Sequence, residues 1–171
     1  YSEGLYKNTF IGRTFIMPGQ AERKKSVKYK LVPQELEIRD KKVMIMDDSI
    51  VRGNTSREIV RMLKDFGAKE VYFSVACPPV KSPCFYGVDM PTKGELIAGN
   101  MNEDEIENYL DVDALLYQKI DDLVEAVTRK GNHHIDTPCI ACLDGNYIAN
   151  DIDDAKITQM EAMRVNDRNG K

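Results

Sequence analysis

Val43-Met44-Ile45-Met46-Asp47-Asp48-Ser49-Ile50-Val51-Arg52-Gly53-Asn54-Thr55-Ser56 decides how this chain folds. Four apolar residues bounded by charge suit a buried parallel strand. Residues 47–54 read as a loop, after which Thr55, with Glu58 three residues on, reads as the capping box of a helix. The apolar positions Ile59, Val60, Met62, Leu63 and Phe66 recur at helical spacing, and Gly67 stands where a C-cap glycine belongs. Residues 71–76 form the next strand. Strand, loop, helix and strand in this order predict a right-handed crossover, hence an α/β fold with a parallel sheet flanked by helices.

Outward from this unit the pattern is less regular. Residues 1–31 hold Gly4, Gly12, Pro18 and Gly19 among many basic side chains and have no sustained period, so they read as a long, basic, flexible loop, with a short helix or strand after it. Residues 77–91 are a Pro- and Gly-rich loop. A helix is expected over 101–110, a strand over 114–118 and a helix over 120–130 closed by Gly131. Beyond His133 comes an irregular Cys-containing segment, then a terminal helix over 151–164 and a disordered tail. This divides the chain into a main unit, residues 1–131, and an extension, residues 132–171.

The chain has 171 residues, enough for one medium domain with a core, and a formal net charge of -4. That balance argues against a nucleic-acid partner, which would want a basic face. No stretch approaches the roughly 18 consecutive apolar residues that a membrane span needs, and the start at Tyr1 shows neither an initiator Met nor a signal-peptide pattern. The four cysteines, Cys77, Cys84, Cys139 and Cys142, therefore read as cytoplasmic thiols or metal ligands rather than disulfides.

The chemistry lies in residues 47–55. A loop at the carboxyl end of a parallel strand is where α/β sheets bind ligands. Its amides and the positive end of the following helix form an anion cradle; Gly53 allows close backbone approach, and the hydroxyls of Ser49 and Thr55 add donors. Two acids beside an anion site would repel the anion, so Asp47 and Asp48 need another task. Carboxylates accept from vicinal sugar hydroxyls, and a nearby Mg²⁺ would make their charge useful. A site that reads a phosphate and a diol suggests ribose 5-phosphate.

This stretch resembles the signature with which phosphoribosyltransferases bind phosphoribosyl pyrophosphate (PRPP): four apolar residues, two acids and a loop ending in Gly-x-Thr. In the form Asp-Asp-Ser-Ile-Val-Arg-Gly-Asn-Thr it is similar to that of the amidophosphoribosyltransferases, the glutamine-dependent enzymes that open de novo purine synthesis. The flanks Gly4–Asn8, Gly12–Ile16, Lys30-Leu31, Phe85–Pro91 and Glu95–Ala98 agree. The resemblance implies a type I phosphoribosyltransferase fold, here incomplete. It also implies transfer of glutamine-derived ammonia to PRPP, a glutaminase half and a pyrophosphate-binding loop outside this sequence, a homo-oligomer, and inhibition by purine nucleotides. By motif match Asp47 and Asp48 would take the ribose hydroxyls and Mg²⁺, and Ser49, Ile50, Val51, Arg52, Gly53, Asn54 and Thr55 the 5-phosphate. Lys7, Arg13 and Lys30 would be the catalytic cations of a loop closing over PRPP. Two rivals from other classes are a non-enzymatic PRPP-sensing regulator and a salvage phosphoribosyltransferase.

Cys139-Ile140-Ala141-Cys142 has metal-ligand spacing, a weak signal when alone. Some branches of the resembled family hold a 4Fe–4S cluster on such a pair together with a cysteine before Phe-Tyr-Gly, the place of Cys84 here. The fourth ligand would lie outside this sequence. Zinc held by the pair with His133 or His134, and inert buried thiols, are the other readings. Cys77 matches nothing and reads as core.

Overall fold

The computed structural model describes residues 1–8, 31–129, 137–149, 152 and 154–169. Its centre is a three-stranded parallel sheet, β3 (Lys42–Asp47), β4 (Glu70–Val75) and β5 (Ala114–Tyr117), in that spatial order. β3 and β4 pair from Lys42 opposite Glu70 to Asp47 opposite Val75; β4 and β5 pair from Tyr72 opposite Ala114 to Val75 opposite Tyr117. An antiparallel ribbon stands apart from it: β1 (Leu5–Lys7) and β2 (Leu31–Pro33). The helices are α1 (Glu35–Ile38), α2 (Asn54–Asp65), α3 (Ile97–Asn100), α4 (Glu103–Leu110), α5 (Ile120–Thr128), α6 (Ala141–Asp144) and α7 (Asp154–Asn169), with a 3-10 turn at Lys93–Glu95.

Alternation along each strand sorts the side chains between the two faces. Val71, Phe73 and Val75 point into a core shared with Val60 and Leu63 of α2 and with Ile106 and Leu110 of α4. The opposite face is open among the described residues, with Met44, Met46 and Leu116 exposed by 59%, 75% and 48%. A smaller core gathers Val80, Leu96 and Leu143, and against it pack Cys77, Cys142 and Val51. No helix among the described residues is long and apolar enough to cross a membrane.

The predicted strand–loop–helix–strand unit is present, but its helix starts differently. Instead of a Thr55–Glu58 capping box, Gly53 is the N-cap, at φ +75°, with no side chain capping the end. The turn that carries the chain off β3 requires a left-handed residue, so the helix begins just after the glycine and Thr55 is already inside it. The other end follows expectation. Gly67, at φ +85°, donates to the carbonyl of Lys64, and Ala68 donates to that of Leu63, the paired bonds of a Schellman ending.

Other boundaries moved. Residues 1–31 are not loop throughout, because β1 pairs with β2, while Arg13 and Lys30 lie outside the described residues. α4 begins at Glu103 behind a capping box of Asn102 and Glu105, and the helix expected over 120–130 ends at Thr128. The terminal helix reaches Asn169, into the stretch read as tail. No Gly or Pro interrupts it before Gly170.

Tyr117 ends β5 with its hydroxyl buried and, among the described residues, without a hydrogen-bond partner. Burial pushes its pKa up to about 12, and the charges of Glu103 and Cys77 add to the shift. A buried unsatisfied hydroxyl costs about 1–3 kcal/mol. Tyr117→Phe should therefore raise stability by up to about that amount, read as a higher midpoint in urea denaturation; a lower midpoint would show that the hydroxyl is satisfied.

Candidate functional site

The carboxyl end of β3 releases the chain into residues 48–53, and three anchors shape this loop. The Asp47 carbonyl accepts from Ala76 N at 3.0 Å, which keeps the strand end in the sheet. Ile50 is buried, 2% exposed, so only its backbone can face a ligand. The Val51 carbonyl accepts from Ile97 N at 2.9 Å, tying the loop to α3. Past these anchors the Gly53 turn starts α2. Asn54 Oδ1 accepts from the Tyr109 hydroxyl at 3.1 Å, and the Arg57 guanidinium lies 4.6 Å from the centre of the same ring.

The outcome for the main chain is simple. None of the amides from Ser49 to Ser56 has a hydrogen-bond acceptor among the described residues. They comprise the loop and the first turn of α2, whose N–H groups also carry the positive end of the helix dipole. A helix start without a side-chain cap leaves those donors for a ligand.

Beside the amides stand the two acids. Asp47 Oδ1 accepts from Asp48 N at 3.0 Å, and Asp48 Oδ1 accepts from the Ser49 hydroxyl at 3.1 Å. The second oxygen of each carboxylate has no partner among the described residues. Burial pushes the half-buried Asp47 carboxyl above its ordinary value; the Asp48 amide partly offsets this, and the Asp48 charge adds to it. The acids thus offer acceptors while the loop offers donors, a complementary set for a group with hydroxyls next to a phosphate.

Of the three expected cations, Arg13 and Lys30 lie outside the described residues. Lys7 sits exposed on β1, outside the main sheet, with no hydrogen bond or ion pair to the loop. Arg52, within the loop, is engaged by Glu95, its Nε and Nη2 donating to Oε1 at 3.1 and 3.0 Å. Glu95, which reaches the loop from 43 positions away, stands in the flank Glu95–Ala98 and is not among the site residues that the sequence points to.

Segment 137–149 brings the cysteines to one side of the smaller core. The Cys142 carbonyl accepts from Lys81 N and Ser82 N at 2.9 and 3.0 Å, and the Tyr147 hydroxyl donates to the Pro83 carbonyl at 2.7 Å. The Tyr147 ring packs 5.3 Å from that of Phe85. Burial pushes the Cys142 thiol up, with Cys84 and then Cys139 adding to the shift, so each of these two lies within electrostatic reach of Cys142. Among the described residues no three His, Cys, Asp or Glu side chains form a metal-holding group. No disulfide joins any of the four cysteines.

An uncapped phosphate-type loop with paired acids, at the carboxyl end of a parallel strand, defines a domain of the type I phosphoribosyltransferase kind. The comparisons narrow this. No family model matches the chain. It is 48% identical over 164 residues to the amidophosphoribosyltransferase of Pseudomonas aeruginosa, covering 96% of this chain and 32% of that protein. Against the amidophosphoribosyltransferase of Methanothermobacter thermautotrophicus it is 46% identical over 164 residues, 96% of this chain and 33% of the other. The glutamine PRPP amidotransferase from B. subtilis, solved in complex with ADP and GMP, superimposes with a TM-score of 0.72 at 41% identity, over 88% of this chain and 33% of that one. The chain spans about a third of the length of the curated relatives it matches.

Two substitutions test the local physics. An added Cβ at Gly53 would stand 2.6 Å from Ile97 Cδ1 and 3.2 Å from Tyr109 Cε1, in a left-handed conformation. Gly53→Ala should destabilise the protein by about 1–2 kcal/mol, read from urea unfolding; no change would mean that the turn tolerates a side chain. For Asp47 the sign follows from the raised pKa. The folded state resists ionisation, so a penalty grows once pH rises above the ordinary value of 3.8 and is complete above the raised one. Asp47→Asn should thus raise the melting temperature at pH 7, with the gain shrinking as pH falls toward 3.8; a pH-independent difference would contradict this.

Proposed function

We propose that this chain is the PRPP-binding and ammonia-transferring part of an amidophosphoribosyltransferase, acting in the first step of de novo purine synthesis. The observation that carries the reading is the run of unpaired amides from Ser49 to Ser56 directly after two carboxylates at a parallel strand end. In the reaction the ammonia nitrogen forms a bond to C1 of the ribose as the C1–O bond to pyrophosphate breaks. Pyrophosphate leaves with the bonding pair, and the new amine loses a proton, giving 5-phosphoribosylamine.

Each residue of the loop has a task in this reading. The amides of Ser49 to Thr55 hold the 5-phosphate, each charge-assisted bond contributing on the order of 1.5–3 kcal/mol. The unpartnered oxygens of Asp47 and Asp48 take the ribose hydroxyls, so the ring is fixed from both ends. Those two carboxylates also fit Mg²⁺, which is commonly held by one or two protein carboxylates plus substrate oxygens. Bound there, the ion would add positive charge near the substrate's oxygens. Negative charge beside the sugar suits a transition state in which C1 becomes positive, and Lys7, Arg13 and Lys30 would meet the leaving pyrophosphate when the early segment closes. Closure also keeps ammonia from bulk water, where it would be protonated.

The division into a transferase unit, residues 1–131, and an extension, residues 132–171, belongs to the same reading. So do a glutaminase partner domain, a homo-oligomer, purine-nucleotide feedback and a cytoplasmic location. A 4Fe–4S cluster takes four thiolates; Cys84, Cys139 and Cys142 would supply three of them and a residue outside this sequence the fourth, and among the described residues no group is set to hold a metal. No step is therefore routed through a cluster. A salvage phosphoribosyltransferase or a PRPP-sensing regulator is less well supported, because identity to amidophosphoribosyltransferases runs across 96% of the chain.

The test is Asp48→Ala in the full-length enzyme. Losing a charged acceptor for a ribose hydroxyl should cut ammonia-dependent phosphoribosylamine formation by about 10- to 100-fold, while glutamine hydrolysis remains detectable. Unchanged synthesis would reject the role given to the acids.

A further inference from the structure

Arg52 is the one cation within residues 47–55, and it is turned to a carboxylate 43 residues away in sequence. Glu95 uses both its oxygens: Oε1 takes Nε and Nη2 of Arg52, while Oε2 takes the Thr92 amide at 3.0 Å and the Thr92 hydroxyl at 3.1 Å. Burial pushes the Glu95 carboxyl up, but the Thr92 amide, Arg52 and the Thr92 hydroxyl together more than reverse this and leave it below its ordinary value. Two residues on, Ile97 N donates to the Val51 carbonyl at 2.9 Å, and the Ile97 side chain closes over Gly53. Segment 92–97 therefore grips the loop at three successive residues: a carbonyl at Val51, a guanidinium at Arg52 and the bare Cα of Gly53.

These contacts bear on the direction of the amides. The Val51 carbonyl is drawn toward α3, and a peptide plane that sends its carbonyl one way sends the next N–H, that of Arg52, the other. Without Glu95 the Arg52 side chain would no longer tie the loop to segment 92–97, and residues 51–53 would lose one of their three holds. We propose that Glu95 is a positioning residue for the phosphate loop: by holding Arg52 aside in a two-bond contact it fixes residues 51–53 with their amides presented to the ligand. Arg52 then acts through Glu95 on loop shape, not as a ligand to the phosphate. This rests on the reading of the loop as a ribose 5-phosphate cradle.

Glu95→Gln, Arg52→Ala and the double variant, made in the full-length enzyme, test it. Gln keeps the shape but cannot accept from both Thr92 and Arg52, because one of its two terminal atoms is a donor. Ribose 5-phosphate binding, measured by calorimetry, should weaken about tenfold in each single variant, and the double variant should be no worse than either. In steady-state kinetics with ammonia, KM for PRPP should rise by a similar factor with kcat within about twofold, and the melting temperature should stay near wild type. Binding in Glu95→Gln that is unchanged or tighter, while Arg52→Ala still loses affinity, would make Arg52 a direct ligand and overturn the proposal. Additive losses in the double variant, or a fall in kcat together with melting temperature, would also overturn it. If wild-type protein fails to bind ribose 5-phosphate, the cradle reading falls and takes the proposal with it; binding in wild type that Asp48→Ala abolishes separates the two.

Discussion

At Gly53 the backbone turns through φ +75° in contact with Ile97 and Tyr109, and the rest of the site depends on that turn. A side chain there would meet both neighbours and would strain a left-handed conformation. The absence of a side chain lets α2 start directly behind the loop, with no Ser, Thr, Asp or Asn folded over its first amides. In most helices a capping side chain is an advantage of about 1 kcal/mol. Here the uncapped start leaves a set of donors for something other than the protein.

The same loop combines opposite demands. Amides in series favour an anion, while two carboxylates a few residues earlier disfavour one. The half-burial of Asp47, which raises its pKa, is the local cost of keeping both within one short segment. Ile50 in the core and the grip of segment 92–97 stiffen the loop so that neither set of groups collapses onto the other. Donors and acceptors stay separate because the backbone between them is held from behind.

What could be read in the sequence was what local chemistry decides. The β3 run, the Gly67 ending of α2 and the paired acids each declare themselves within a few residues. The start of α2 was misread because Thr55 and Glu58 fit a capping box as well as Gly53 fits a turn, and only the path from β3 chooses between them. Asn102 and Glu105 carried a legible capping signal that a broader helix assignment passed over. The β1–β2 ribbon and the Arg52–Glu95 contact were not legible, since each joins residues more than 20 positions apart and no local pattern marks them. The cysteines are legible only in part: Cys139 and Cys142 stand together in the sequence, whereas Cys84 comes within electrostatic reach of Cys142 only through the fold.

Met44, Met46 and Leu116 put thioether and isobutyl groups into water on the bare side of the sheet. A parallel sheet is normally sandwiched between layers, so this strip is adhesive, and a net charge of -4 is modest protection against copies sticking through it. How readily the molecule stays dispersed in a concentrated solution thus depends on whatever lies over three side chains, one of which, Met46, directly precedes Asp47.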